Sequence, residues 1–585
     1  MMALPVGYSK YWACVKCASR ISNSEGRNFS YPKLFSTTSS FKTKNESAWI
    51  EPQGYNTGVK VYNSLTRKKD YLVLPSGPVA FWYMCGPTVY DEAHIGHASS
   101  YVRFDIIKRI LQSIFNINVV QVMGITDIDD KIIKRSIEVQ SDCSTISRKY
   151  EQEFDRDMLS LNVLPPAVKT RVTEHIPQIL DFVRQIMDKK LAYVTKDGSV
   201  YFDVEQYGYY GKLMTHSVDA QIRDAEIPEK RSARDFALWK AAKPGEPWWE
   251  SPWGRGRPGW HIECSAMAHS IFGEKLDIHT GGEDLLFPHH ENELAQSQAC
   301  LGCDQWCNYW MHTGHLHSKG DAEKMSKSLK NTLSITELLQ TYTANQFRMF
   351  CMLSPYRNRL EYSDETMLRA VAIHQQLMSF LNTADLYVKG QLQCQTFSPA
   401  DLMKSLQDSR SKVMESLTDD FNTQAAVENI LHLVYSANVS LGIGKRADAE
   451  SSGSRHPAAV AAIAEFIEQT MNNMGVGFVG RKGASEDSHS AVQLGQVMDE
   501  VLEFRKSVRL WALDVNAEVD KQMEGQTDKS AKKQIKKEVL YNRQPLLKAC
   551  DDLRGSLQGI GIQVKDISKE NSTWEFVEKT QQKKD

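Results

Sequence analysis

What the chain lacks narrows it first. Across its 585 residues there is no uninterrupted apolar run long enough to cross a bilayer, so a membrane-spanning role is not expected. Charge of one sign is also missing: the formal net charge is -2, so any polyanionic partner must meet a local basic surface on a neutral body. The 11 cysteines show no regular spacing, which argues against a secreted disulfide scaffold and for reduced thiols, some of them metal ligands. No internal repeat is visible. Hydrophobic residues at 41% and charged residues at 24% are ordinary for a globular enzyme, and the length predicts several domains.

Acidic residues are nearly absent from the first 47 positions. Lys10, Lys16, Arg20, Arg27, Lys33, Lys42 and Lys44 stand there against Glu25 and little else, among many serines and threonines. That composition fits a mitochondrial transit peptide over 1–47 and predicts a matrix protein. Cys14 and Cys17 form a CxxC inside this leader with no element pattern around it, and it reads as incidental.

From there the pattern is α/β. Val79–Met84 is a β-forming run ended by Cys85-Gly86-Pro87. A helical pattern follows from about His97, with Val102, Ile106, Ile110 and Ile114 on one face. Asn118–Met123 reads as another strand, and Thr126-Asp127 leads into a second helix. Strand, helix, strand at these lengths makes a βαβ unit, hence a Rossmann-like parallel sheet with its ligand site at the strand ends. The expected layout is a catalytic domain over 48–330 with an insertion at about 165–255, then a stem-contact or linker region over 331–365. A helical bundle over 366–515 and a basic segment with a small C-terminal module over 516–585 complete it. Ile373, Leu377, Phe380 and Ala384 share one helical face in the bundle region. So do Val427, Ile430, Val434 and Ala437, and again Val497, Val501, Phe504 and Val508.

Two short motifs carry the nucleotide chemistry. His94-Ile-Gly96-His97 stands after the first strand at a helix start, where free N–H groups and the dipole suit a triphosphate. Two imidazoles there can donate to phosphate oxygens, and Gly96 lets an adenine lie against bare backbone. Far downstream, Lys324-Met-Ser326-Lys327-Ser places two lysines on a loop that can close over phosphates. In this order and on this architecture the pair resembles the signature motifs of class I aminoacyl-tRNA synthetases.

A third constellation concerns the substrate. Cys85 opens Cys-Gly-Pro-Thr-Val-Tyr-Asp, Cys264 lies in Gly259-Trp-His-Ile-Glu-Cys-Ser-Ala-Met267, and His289 and Glu293 lie four apart in Phe287-Pro-His-His-Glu-Asn-Glu293. Two thiolates, an imidazole and a carboxylate are donors for one tetrahedral zinc. These stretches resemble cysteinyl-tRNA synthetases, nearly continuously from about Tyr55 to Asn331 and more loosely beyond. The resemblance implies zinc on those four residues and ATP with magnesium on the two signatures. It further implies L-cysteine against Gly86, Thr126, His289 and Trp260, and a cysteine-specific tRNA as partner. A thiolate is a far better zinc ligand than a serine hydroxyl, which explains selection without an editing domain. One departure is Asp277-Ile-His-Thr-Gly-Gly282, where the family more often shows three glycines and this chain has Thr280.

Several other groups have plainer readings. Cys300, Cys303 and Cys307 crowd together but no fourth ligand follows at zinc-site spacing. His312, His315 and His317 alternate as on a strand and read as packing or nucleotide contacts. Asp127, Asp129 and Asp130 read as helix-start partners in preference to a magnesium site. Lys529, Lys532, Lys533, Lys536 and Lys537 form a basic stripe suited to phosphates or to solvent, and Arg554 and Trp574 have the chemistry to meet unpaired bases. The resemblance also implies persulfide synthesis with pyridoxal phosphate on Lys131, Lys134, Lys324 or Lys327. A tRNA-independent ligase joining cysteine to an amino sugar is the alternative, and the long region after Ser328 argues against it.

Overall fold

The computed structural model describes residues 49–214, 229–319, 332–392, 394–442, 455–478, 488–522, 529–559, 562–566 and 572–576. The leader, with Cys14 and Cys17, and the signature residues Lys324, Ser326 and Lys327 lie outside them.

Five parallel strands form the central sheet, in the spatial order Cys307–Thr313, Leu276–Gly282, Val79–Thr88, Asn118–Thr126, Val168–Arg171. The chain starts in the middle strand, works outward to one edge, then returns to build the other side. The strand order therefore reverses beside Val79–Thr88, and the crevice at the carboxyl ends of that strand and of Leu276–Gly282 is where such a sheet binds ligands. The expected parallel sheet is present, and the middle of the strand Val79–Thr88, Trp82 to Cys85, is buried, as its apolar run implies.

An inserted layer lies in the chain between two strands of the parallel sheet, Val168–Arg171 and Leu276–Gly282. The strand Val168–Arg171 pairs Val122 with Val168 and Gly124 with Thr170, so the sheet extends past 165. Its sequence, Val-Lys-Thr-Arg, is that of a short, half-exposed edge strand, which gives no apolar run to recognise. The inserted layer is a four-stranded antiparallel sheet of Ala192–Val194, Val200–Phe202, Phe236–Ala241 and Gly256–Pro258, so it runs past 255. Asp127, just after Asn118–Thr126, accepts from the Thr173 amide at 3.0 Å and its hydroxyl at 2.5 Å, which ties together the ends of two neighbouring parallel strands.

Residues 332–365 form packed structure. The helices Ile335–Thr341 and Ala344–Met352 bury Phe347, Met349 and Phe350 in the core that also holds Trp82 and Phe104. Arg348, fully buried, donates to Asp105 Oδ2 at 2.6 Å and to the carbonyls of Leu161, Asn162 and Met474. Asp105 belongs to the helix Ile95–Arg109 that starts at the nucleotide motif, so this pair locks the catalytic helix to Ala344–Met352.

The bundle consists of Asp364–Val388, Pro399–Thr418, Thr423–Leu441 and Pro457–Asn473. Leu377, Phe380 and Ala384 are buried, as are Val427, Ile430, Val434 and Ala437, matching the faces read from their spacing. The third face is corrected. Helix Ser488–Leu513 packs on Lys529–Gly559 and on the strand Ser572–Phe576, which pairs with Ile562–Asp566. It buries Met498, Leu502 and Arg505, whereas Val497 is 57% and Phe504 69% exposed. The helix carries two adjacent apolar rows, and periodicity alone does not choose between them. The C-terminal module therefore includes 488–513, which the sequence assigned to the bundle.

Candidate active site

Four chain segments meet at the switch-point crevice. Cys85 sits near the end of the middle sheet strand, Cys264 on the helix Trp260–Phe272, His289 just before the helix Glu291–Leu301, and Glu293 in its first turn. All four are buried, and one ligand atom from each lies within 4.8 Å of the others. The two sulfurs are 3.9 Å apart, Cys85 Sγ is 3.6 Å from Glu293 Oε1, and His289 Nε2 is 3.0 Å from the same oxygen. Two thiols, an imidazole and a carboxylate in this space have the donor chemistry and crowding of a tetrahedral zinc site.

The surrounding hydrogen bonds orient these donors. His261 Nδ1 and His289 Nδ1 are 2.9 Å apart, so one ring nitrogen donates to the other. If His289 is the donor there, its Nε2 presents a lone pair to the cluster. Glu293 Oε2 is held by His279 Nε2 at 2.9 Å. His290 Nε2 stands 3.4 Å from Cys85 Sγ, and its Nδ1 continues to His312 Nε2 at 2.7 Å and on to the Ser64 hydroxyl. Cys85, His279, His290 and Glu293 make a second, overlapping donor set. Sequence reading missed His261, His279 and His290 as cluster partners. His290 had a signal, being next to His289, whereas His279 lies in the stretch Asp277–Gly282, which stood out only for Thr280.

Protonation is set by these contacts. The hydrogen bond from Cys85 brings the Cys264 thiol down to about 6, while burial pushes Cys85 well up. Burial alone would raise the Glu293 carboxyl, but His279 and His289 hold it at about 2. Burial opposes a charged His289, yet Glu293 and Cys264 raise it to about 10. The cluster thus already holds one thiolate and one carboxylate against buried cationic character, an arrangement suited to replacing protons by a metal.

Around this cluster stand the residues expected to meet cysteine. Gly86 passes so close to the neighbouring strand that a Cβ would lie 2.3 Å from the Gly124 carbonyl oxygen. Thr126 donates to the buried Glu263 at 3.2 Å. Trp260 lies over His289 with ring centroids 4.3 Å apart and keeps 36% of its surface exposed, as a side chain at the mouth of a pocket would.

His94 and His97 open the helix Ile95–Arg109. His94 is its N-cap, its Nδ1 accepting from the Gly96 amide at 3.1 Å, and its ring stacks on His97 at 3.8 Å between centroids. With Nδ1 used as acceptor, a neutral His94 carries its proton on Nε2 and is a donor there. Beyond the undescribed signature segment the chain returns beside this motif: the Leu333 carbonyl accepts from Ile95 N at 3.0 Å, and Ser334 bridges His94.

Other sequence-marked residues fall elsewhere. Cys300, Cys303 and Cys307 do not form a metal-holding group among the described residues, and Cys307 Sγ instead faces the Asp277 and Tyr309 carbonyls. Asp129 caps the helix Asp130–Val139, and Asp130 pairs with Lys240 and Arg257. Lys131 and Lys134 are exposed on that helix, Lys131 Nζ lying 5.5 Å from the Tyr90 ring centroid. The basic stripe is exposed on Lys529–Gly559, Arg554 pairs with Asp551, and Trp574 donates to Asp499.

Residues 75–372 match the family model for the tRNA synthetases class I (C) catalytic domain. A probable mitochondrial cysteine–tRNA ligase of Xenopus tropicalis is 48% identical over 535 residues, 91% of this chain and 92% of that protein. The chain belongs to the cysteine–tRNA ligases. A cytoplasmic cysteine–tRNA ligase of Dictyostelium discoideum is 39% identical over 95% of this enzyme and 84% of its own length. A methionyl-tRNA synthetase structure from Mycobacterium tuberculosis aligns with 68% of this enzyme and 90% of that chain, at a TM-score of 0.48 and 14% identity. Among the described residues no helix is long and apolar enough to cross a membrane.

Proposed function

We propose that the enzyme activates L-cysteine with ATP and transfers it to a cysteine-specific tRNA, selecting the amino acid through zinc held by Cys85, Cys264, His289 and Glu293. The convergence of those four donors carries this reading. When bound, zinc supplies a Lewis-acid seat that favours a thiolate over a hydroxyl. The protein does the rest. Trp260 covers the mouth, Gly86 leaves room where a side chain would collide, and Thr126 is fixed by Glu263.

The attacking group is the cysteine carboxylate. His94, through its Nε2–H, and His97 are placed to donate to phosphate oxygens as charge builds at the α-phosphorus, and the helix N-terminus adds its dipole. Lys324 and Lys327 bring positive charge to the same phosphates. Lys327 precedes Leu333 by six residues, so its tether to the motif spans at most about 20 Å. The basic, acid-poor composition of residues 1–47 and the similarity to the probable mitochondrial ligase of Xenopus support a mitochondrial enzyme, and a transit peptide of that composition points to the matrix. Persulfide synthesis with pyridoxal phosphate on Lys131, Lys134, Lys324 or Lys327 rests on the family resemblance alone.

The test is ATP–pyrophosphate exchange across the amino acids, paired with metal analysis of the same protein. Exchange with cysteine only, with zinc bound, is expected. Exchange with serine at the same rate overturns the zinc reading, and charging of an amino sugar in place of tRNA overturns the tRNA one.

A further inference from the structure

Away from the thiols, the fold assembles another group of metal-binding donors. Glu283 begins the tight turn Glu283–Leu285 directly after the sheet strand Leu276–Gly282. His315 and His317, two apart on an extended segment, point to one side of it, and the short strand Leu316–Ser318 is fixed by parallel pairing with Leu360–Tyr362. One ligand atom from each of Glu283, His315 and His317 lies within 4.8 Å of the others. Glu283 Oε1 is 2.7 Å from His315 Nδ1 and accepts from the His315 amide at 3.1 Å. Asp284 Oδ1 stands 3.0 Å from His315 Nε2.

An ion pair between His315 and the two carboxylates accounts for only part of this group. His317 is buried, 9% exposed, and its Nε2 has no hydrogen-bond partner. An unsatisfied buried polar group costs about 1–3 kcal/mol, so a partner for that nitrogen is called for. Packing alone, one of the two roles read from sequence, leaves that nitrogen without a partner. Arg359, whose Nε is 3.7 Å from Glu283 Oε1, is 69% exposed and free to turn into solvent when a cation arrives.

We propose that Glu283, His315 and His317 form a second metal site, taking a divalent transition ion of the zinc, cobalt or iron class, with Asp284 alongside. Two imidazoles and one carboxylate suit such ions, whereas magnesium prefers oxygen ligands and travels with ATP. The site contains no sulfur, which separates it chemically from the cysteine cluster. It also has a mechanical consequence. His317 precedes the lysine signature by only a few residues, so the ion would tie the root of that segment to the end of the sheet.

Cobalt(II) titration of the full-length, metal-stripped protein tests this. Two equivalents should bind, one showing thiolate-to-cobalt charge transfer and the other only weak visible bands of a nitrogen and oxygen shell. Glu283→Gln and His317→Gln should each bind one equivalent fewer and keep the charge-transfer band, which also reports an intact fold. Cys264→Ser should do the opposite, so failure of the cysteine-cluster reading and failure of this one look different. A wild-type protein that binds a single equivalent carrying the charge-transfer band overturns the second site, and so does a Glu283→Gln protein that still binds two.

Discussion

Cys85 and Cys264, 179 residues apart in the chain, bring their sulfurs to 3.9 Å. The parallel sheet makes this meeting. Cys85 lies near the end of the middle strand, and Cys264 belongs to the helix that leads back to the neighbouring strand Leu276–Gly282. A residue at a strand end and one on the returning helix share the crevice only because the strand order reverses there.

Replacing Cys264 by serine should remove bound zinc and cysteine-dependent pyrophosphate exchange together. Loss of a mere supporting partner in a metal site costs ~10–100-fold, so loss of a ligand should exceed that. Metal analysis and exchange kinetics on one preparation check it; full activity with no zinc would refute the assignment.

His279 acts through Glu293, whose Oε2 it holds at 2.9 Å. His279→Asn should weaken zinc affinity ~10–100-fold while leaving the four ligands in place. Competition against a coloured chelator reads this directly, and unchanged affinity would reduce His279 to a packing role.

Arg348 is fully buried against Asp105. Arg348→Met leaves that carboxylate with Arg109 and the Leu164 amide and should destabilise the folded protein by about 3 kcal/mol. Denaturant unfolding measures it. A loss below about 1 kcal/mol would show that Arg109 compensates.

The C-terminal module should loosen in acid. Arg505, hydrogen-bonded to Asp566 at 2.6 Å, holds that carboxyl at about 2, below the ~3.9 of an unfolded chain. A depressed folded value stabilises at pH above about 3.9, and the contribution is lost as pH falls toward 2. Hydrogen exchange in Ile562–Asp566 should therefore speed up across that window in the wild type, and an Arg505→Leu protein should lack the step.

Removing everything after residue 478 takes away the C-terminal module, whose helices and hairpin pack on one another. Cysteine activation should survive within about twofold, while tRNA charging at low tRNA concentration should fall by tenfold or more, since phosphate contacts dominate such affinity. Equal charging by the truncated protein would make the exposed lysine stripe an ordinary solvated face.

Much of this architecture is legible in the sequence. The run Val79–Met84 and the helix from His97 are dictated by β-forming side chains and a repeating apolar stripe, and both formed. Cys85, Cys264, His289 and Glu293, which the fold brings together, could be picked out because their donor chemistry is rare and their local motifs resemble those of cysteinyl-tRNA synthetases. Local pattern could not, however, separate Val497 and Phe504 from Met498 and Leu502, since both rows recur at helical spacing and only the packing of Lys529–Gly559 chose between them. Nor could it show His279 reaching Glu293, because a histidine on a buried strand reads as core until a partner arrives from another segment. Sequence determines what each segment can be and which chemistry it carries. Distance between segments belongs to the tertiary fold, since hydrogen bonds and metal shells are decided over a few ångströms while the chain between the partners runs to hundreds of residues.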